Sequence, residues 1–285
     1  MNLGFTWLVG TWLARRWMIA SGVARAEFEP ELQRLDLLAA GLGIVAGIAV
    51  LWAATAVMGG LPLSAALPMV WPMLSTTDYG HAGCIAVLMM VLIFVLLLSK
   101  QARPASDAMT LVGLVIFAVT RASMGHAGEE GLWTVPLAAE AAHYWSIAAW
   151  TGAVLASGWF ALRERRIAAL PGHAITPYLD QMSTMAMAAL VVLLGTGFYS
   201  GLHRVGTVTH LVHSAYGAVL LIKIGLVLLA IALGGYNKYI GLPAASRSDQ
   251  GKRTVRLVLQ IESVLLLGAL LAASYLTTQP PPMAI

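Results

Sequence analysis

Charge is what this chain has least of. Its 285 residues include 17 Lys and Arg and 13 Asp and Glu, 11% in all, against roughly 25% in an average soluble domain. So little charge cannot cover a water-facing surface. Cysteine is scarcer still. Cys84 stands alone, which excludes an intramolecular disulfide. Long polar stretches are missing too. The longest, Lys238–Arg256, carries Gly241, Pro243, Ser246, Ser248 and Gly251 and reads as a loop, so no soluble domain fits between the apolar runs. The N-terminus also lacks the order of a secretory signal, because Met1–Leu13 is apolar and Arg15 and Arg16 follow it.

What is present is hydrophobic sequence, 59% of the residues. An apolar helix of about 20 residues crosses a hydrocarbon core of ~30 Å. Full spans are predicted near 36–58, 80–99, 108–126, 137–161, 181–202, 211–236 and 256–277, with 2–18 as a short additional span interrupted by Arg15 and Arg16. The fold class is therefore all-α, a polytopic membrane bundle of about eight transmembrane helices. Two four-helix halves are expected, 1–126 and 137–285. Thr77-Asp78-Tyr79-Gly80 and Ser214-Ala215-Tyr216-Gly217 occupy matching places in them, and Trp7-Leu8-Val9-Gly10 is echoed by Trp150-Thr151-Gly152.

Basic residues give the orientation. Arg15, Arg16, Arg25, Arg34, Lys100, Arg103, Arg163, Arg165, Arg166, Lys238, Arg247, Lys252, Arg253 and Arg256 all fall in alternate loops, leaving only Arg121, Arg204 and Lys223 of the 17 elsewhere. The positive-inside rule places those loops in the cytoplasm and both termini outside. The net charge of +4 thus reflects topology and implies no nucleic-acid partner.

On that frame six of the seven histidines (His81, His126, His143, His203, His210 and His213) lie at the outer face, with Met69, Met73 and Met124. Imidazole and thioether are ligands for copper, and the soft thioether favours Cu(I). Within this set, Glu140 and His143 are one helical turn apart, so the carboxylate can orient the imidazole or share a metal with it. His210 and His213 have the same spacing, which suits one metal or a wet helix end equally well. Met124-Gly125-His126 sits in a Gly-rich turn that lets the backbone fold over a site. His81 and Cys84 form a third such pair, in which Cys84 is as readily a small buried hydrophobe as a ligand. His203 reads first as solvent-facing. Met182, Met185 and Met187 cluster at the cytoplasmic end of the sixth span, as packing or as an exit path for Cu(I).

Two ionisable groups lie deeper, Lys223 in span seven and Glu262 in span eight. A charge at bilayer depth costs ~3 kcal/mol or more and normally finds a partner. A salt bridge between these two is expected; a gate or proton-coupled element is the alternative.

The last hundred residues carry a recognisable series: Gly195-Thr196-Gly197, Ser214-Ala215-Tyr216-Gly217, Leu220-Leu221-Ile222-Lys223, Leu233-Gly234-Gly235-Tyr236-Asn237, Glu262, and Thr277 to Pro282. Upstream are Gly125-His126-Ala127 and then His143, Trp150 and Gly152. Together these resemble the copper resistance D family (CopD) over roughly residues 110–282, with 180–278 as its core. The first hundred residues resemble it only in hydropathy, and the short first helix departs from the family pattern.

The resemblance implies an inner-membrane protein of copper homeostasis that moves copper from the periplasm toward the cytoplasm, fed by a small periplasmic carrier of the CopC type. His126 and His143 match the family pattern; His81, His210, His213 and Cys84 rest on spacing. The leading expectation is a copper-binding permease or relay without covalent catalysis. Its rival is an electron-transfer protein holding b-type haem between His143 and His210 or His213.

Overall fold

The computed structural model describes residues 1–24, 28–99, 104–129, 131–163, 175–205 and 215–276. Among them every regular element is helical. In chain order these are α1 (Asn2–Ala20), α2 (Glu29–Gly59), the short α3 (Val70–Thr76), α4 (Asp78–Leu98), α5 (Pro104–Ser123), α6 (Val135–Ala156), α7 (Ile175–Val205), α8 (Ala215–Tyr236), the short α9 (Leu242–Ala245) and α10 (Asp249–Leu276). A π-helical turn, Ser157–Ala161, extends α6, and another, Asn237–Gly241, joins α8 to α9.

Among the described residues, six segments are long and apolar enough to cross a membrane: Glu29–Gly59, Asp78–Leu98, Pro104–Ser123, Ile175–Gly201, Tyr216–Ala245 and Asp249–Leu276. The other two expected spans, α1 and α6, are helices of 19 and 22 residues. Arg15 and Arg16 dilute the first, and Glu140 with His143 the second.

Local signals account for the helix ends. α2 opens with Glu29 and Glu31 in its first turn, where acids complement the helix dipole. It closes at Gly60, whose φ of 60° allows Leu61 N–H to reach back to the Ala56 carbonyl at 2.9 Å, a Schellman closure. α4 is capped by Thr77, whose hydroxyl accepts the Gly80 N–H at 2.9 Å.

The chain forms two compact units. The first holds Met1–Val9 and Glu29–Ala148, the second Gly10–Phe28 and Ala149–Ile285. In the first unit α4 packs between α2 and α5. The buried face of α2 is small and includes Asp36, Ala40, Gly43, Gly47 and Leu51. Leu38, Leu42 and Val45 on its other side are exposed. Small residues inside and large aliphatic ones outside suit a lipid solvent, in which helices associate by close packing. The start of α1 docks here. Phe5 stacks on Phe117 with centroids 4.8 Å apart, and a Cβ at Gly4 would meet the Ala39 carbonyl oxygen at 2.7 Å.

In the second unit α8 and α10 form an antiparallel pair that turns near Ser246–Ser248. The later part of α1 crosses α6 with Gly10 against Gly152. The π turn of α6 lies on α10, where the Gly158 carbonyl accepts from Arg256 Nε at 3.3 Å and Gln260 Nε2 at 3.2 Å. Tyr178 of α7 hydrogen-bonds Ser157 at 2.7 Å and meets Trp17 edge-on. A π turn frees carbonyls from the helical ladder, and here side chains of a neighbouring helix satisfy one of them.

Candidate metal site

The sequence places the candidate ligands at the ends of α4, α5 and α6, and the first unit holds the part of that set the structure describes. Thr77 starts α4 one residue after α3 ends, which puts His81 beside the end of α3. The exposed His81 ring has Nε2 3.1 Å from the Ser75 carbonyl oxygen. Cys84 is one turn further along, half-buried, with a free thiol. Met73 of α3 and Met124 at the end of α5 are both buried and cluster with Leu51 of α2, flanked by Tyr79. Gly83 makes room for them, because a Cβ there would lie 2.3 Å from Leu51 Cδ2 and 3.3 Å from Met124 Cε.

The turn after α5 is equally tight. His126 opens a 3-10 turn, His126–Gly128, and a Cβ at Gly128 would sit 2.0 Å from the Ser123 carbonyl oxygen. That glycine lets the turn fold back on the end of its helix. One turn before Met124, Arg121 donates to Asn2 Oδ1 at 3.2 Å and lies over the Tyr144 ring at 5.5 Å. Glu140 and His143 are half-buried on α6, in the same unit.

Other candidates fall elsewhere. The backbone of His126 and of His203 is helical, but their side chains lie outside the described residues, as do His210 and His213 altogether. On α7, Met182 is buried, Met185 half-buried and Met187 exposed, so the three do not line one face. Among the described residues, no three His, Cys, Asp or Glu side chains are grouped closely enough to hold a metal. The donors the structure does bring together are thioethers.

Each unit also contains a buried acid held by a tryptophan, which spacing alone did not reveal. In the first, Trp7 Nε1 donates to Asp36 Oδ1 at 2.7 Å. In the second, Trp150 Nε1 donates to Glu262 Oε1 at 2.9 Å. Asp36 and Glu262 are 1% and 2% exposed, so these bonds form where water does not compete. The two tryptophans that echo each other in sequence thus do the same work.

Glu262 does not sit where the expected pair with Lys223 requires. A Cβ at Gly234 would lie 3.5 Å from Glu262 Oε1, which sets the carboxylate level with Gly234. Lys223 is about 16 Å further along the same helix at 1.5 Å per residue. The pairing assumed that span eight began near residue 256. α10 begins at Asp249 and the hairpin turns around residue 247, so the register differs.

Comparison with known proteins bears on the whole chain. Residues 1–135 match the family model described as Copper resistance protein D-like, N-terminal domain, and residues 176–276 match the one described as Copper resistance protein D. The first match takes in the first hundred residues, whose resemblance to the family is otherwise one of hydropathy. No curated protein and no solved structure matches. With the two models satisfied in order along most of its length, and over a membrane-length helical fold, this chain belongs to the copper resistance protein D family.

Proposed function

We propose that the protein accepts copper at its outer face and relays it toward the cytoplasm across the inner membrane, as cargo and without covalent catalysis. The observation that carries this reading is the burial of Met73 and Met124 in one cluster, at the end of the first unit that also bears His81 and the Gly125-His126 turn. Thioether and imidazole together suit Cu(I) better than the harder divalent ions. The asymmetry of the basic loops supports an orientation with that end and both termini outside. Copper would arrive there from a separate periplasmic carrier of the CopC type. His126, His143 and Glu140 are the further groups proposed to receive it, together with His81, Cys84, His203, His210 and His213. Met182 and Met185, which share a helix face, remain the candidates for departure on the inner side. No observation favours the b-type haem reading.

Metal analysis of detergent-purified protein loaded with Cu(I) tests this directly. The double variant His126→Ala/His143→Ala is expected to lose at least one bound copper per chain relative to wild type. An unchanged stoichiometry would remove both residues from the site. The wild-type protein is expected to be colourless when purified, and a strong absorption band in the violet would replace copper with haem.

A further inference from the structure

The thioethers of the first unit continue below the outer cluster. α2 and α4 run antiparallel, with Leu51 against Gly83, Gly47 against Val87 and Gly43 against Met90. Leu51, Gly47 and Gly43 are buried and follow one another by four residues, about 6 Å per step. A methionine meets each level. Met73 and Met124 lie at Leu51. Met1 Sδ lies 3.3 Å from where a Cβ of Gly47 would be, and Met90 Sδ lies 3.4 Å from the corresponding point at Gly43. Met90 is fully buried. Residues 43 and 47 have no side chain, and each sulfur stands at about contact distance from the point where a Cβ would be. About 10 Å further in, at 1.5 Å per residue, the same face of α2 presents Asp36, held by Trp7.

We infer that this seam between α2 and α4 is a conduction path for Cu(I), lined in order by Met73 and Met124, Met1 and Met90, and ending at the carboxylate of Asp36. Thioethers are neutral, soft and polarisable, so they bind a monovalent soft cation while offering little to Zn²⁺, Mg²⁺ or Ca²⁺. Sites that hold the ion weakly and follow one another at short intervals allow it to be passed on. Conduction needs binding that is favourable on arrival and weak enough for release. A monovalent cation in transit also needs charge compensation at bilayer depth, and the acid at the inner end supplies it. Gly47 is part of the device, since a Cβ there would press on Val87 at 2.7 Å and on Met1 Sδ at 3.3 Å, whereas one at Gly43 would only reach ordinary contact with Met90.

The inference rests on copper being the cargo, and its test separates the two. Proteoliposomes bearing wild type, Met90→Leu or the exposed-site control Met109→Leu are given Cu(I) kept reduced by ascorbate, and in a second series Ag(I), a soft monovalent ion that needs no reductant. Leucine preserves the volume and apolarity of methionine and removes only the sulfur. Met90→Leu is expected to lower uptake of both ions at least tenfold while retaining copper bound at the outer cluster, and Met90→Cys to restore part of it. Met109→Leu is expected to match wild type. Should Met90→Leu fail to give folded protein, Met124→Leu at the mouth provides the same comparison. Uptake through both leucine variants at the wild-type rate overturns the path and leaves the copper reading standing. A wild type that binds copper and passes none overturns both the path and the relay and leaves only copper binding. A wild type that neither binds nor admits copper overturns the reading itself.

Discussion

Gly10→Leu is expected to abolish the folded second unit. A Cβ at this position would fall 2.0 Å from the carbonyl carbon of Gly152, 2.1 Å from its oxygen and 2.5 Å from its Cα. Carbon atoms in contact sit about 3.5–4.0 Å apart, so the overlap is far inside any tolerable distance. Every atom it meets is backbone, and no rotamer change relieves it. α1 would have to move away from α6, and with it Trp17 from Tyr178 and the buried Ala14 and Met18 from their neighbours. Ordinary overpacking, which side chains partly absorb, costs about 1–3 kcal/mol; a forced separation of two helices exceeds that range. The expected result is a protein that no longer shows a cooperative thermal transition in detergent or a single peak on gel filtration. Gly235→Leu is the matched control, because nothing lies within 4 Å of its Cβ position, and it is expected to melt within a few degrees of wild type. A Gly10→Leu protein that also melts like wild type would mean that α1 does not cross α6 as described. The first helix, short and interrupted by two arginines, would then be dispensable to this unit.

That helix illustrates what the sequence disclosed and what it withheld. The long apolar runs were legible because a membrane demands about 20 residues without charge, and each of the eight expected runs overlaps a helix. Their ends were less so. α2 starts at Glu29 and α10 at Asp249, several residues before the apolar stretch begins, because charged first turns extend beyond the hydrocarbon and are helical all the same. That error of about two turns displaced the register of α8 and α10 and produced the expected pair between Lys223 and Glu262. The tryptophan partners were illegible for a different reason. A buried indole needs an acceptor, but nine tryptophans and three acids within the expected spans (Asp36, Glu140 and Glu262) leave the choice to packing. Depth alone grouped His81, Met73 and Met124 with Met69 and five other histidines, without telling which of them meet. The column of sulfurs beneath them depends on Gly43, Gly47 and Gly83 meeting particular residues of the opposite helix, and no periodicity within one helix contains that information.

Glu262 gives the sharpest contrast between the two accounts of its burial. Glu262→Ala removes the acceptor of the Trp150 N–H and the packing opposite Gly234. An orphaned buried donor costs about 1–3 kcal/mol, and truncating a large buried side chain to alanine adds a cavity penalty of about 2 kcal/mol or more. A loss of about 3–5 kcal/mol is therefore expected for Glu262→Ala, read as the shift of the unfolding midpoint in detergent with a mild denaturant. Glu262→Gln keeps the shape and offers its amide oxygen to the same indole. If the indole is what holds this position, the glutamine variant is expected to unfold within about 1 kcal/mol of wild type, since one neutral acceptor replaces the carboxylate oxygen. If instead a buried lysine neutralised Glu262, glutamine would strand that charge, and breaking a buried ion pair costs about 3–5 kcal/mol. The glutamine variant would then be as damaged as the alanine one. Trp150→Phe completes the comparison. It removes the donor and keeps the ring volume, so it is expected to weaken the wild-type protein and to have little additional effect in the Glu262→Ala background, where the bond is already gone. Equal and additive losses in both backgrounds would show that the indole and the carboxylate act independently, and that Glu262 is held by something other than Trp150.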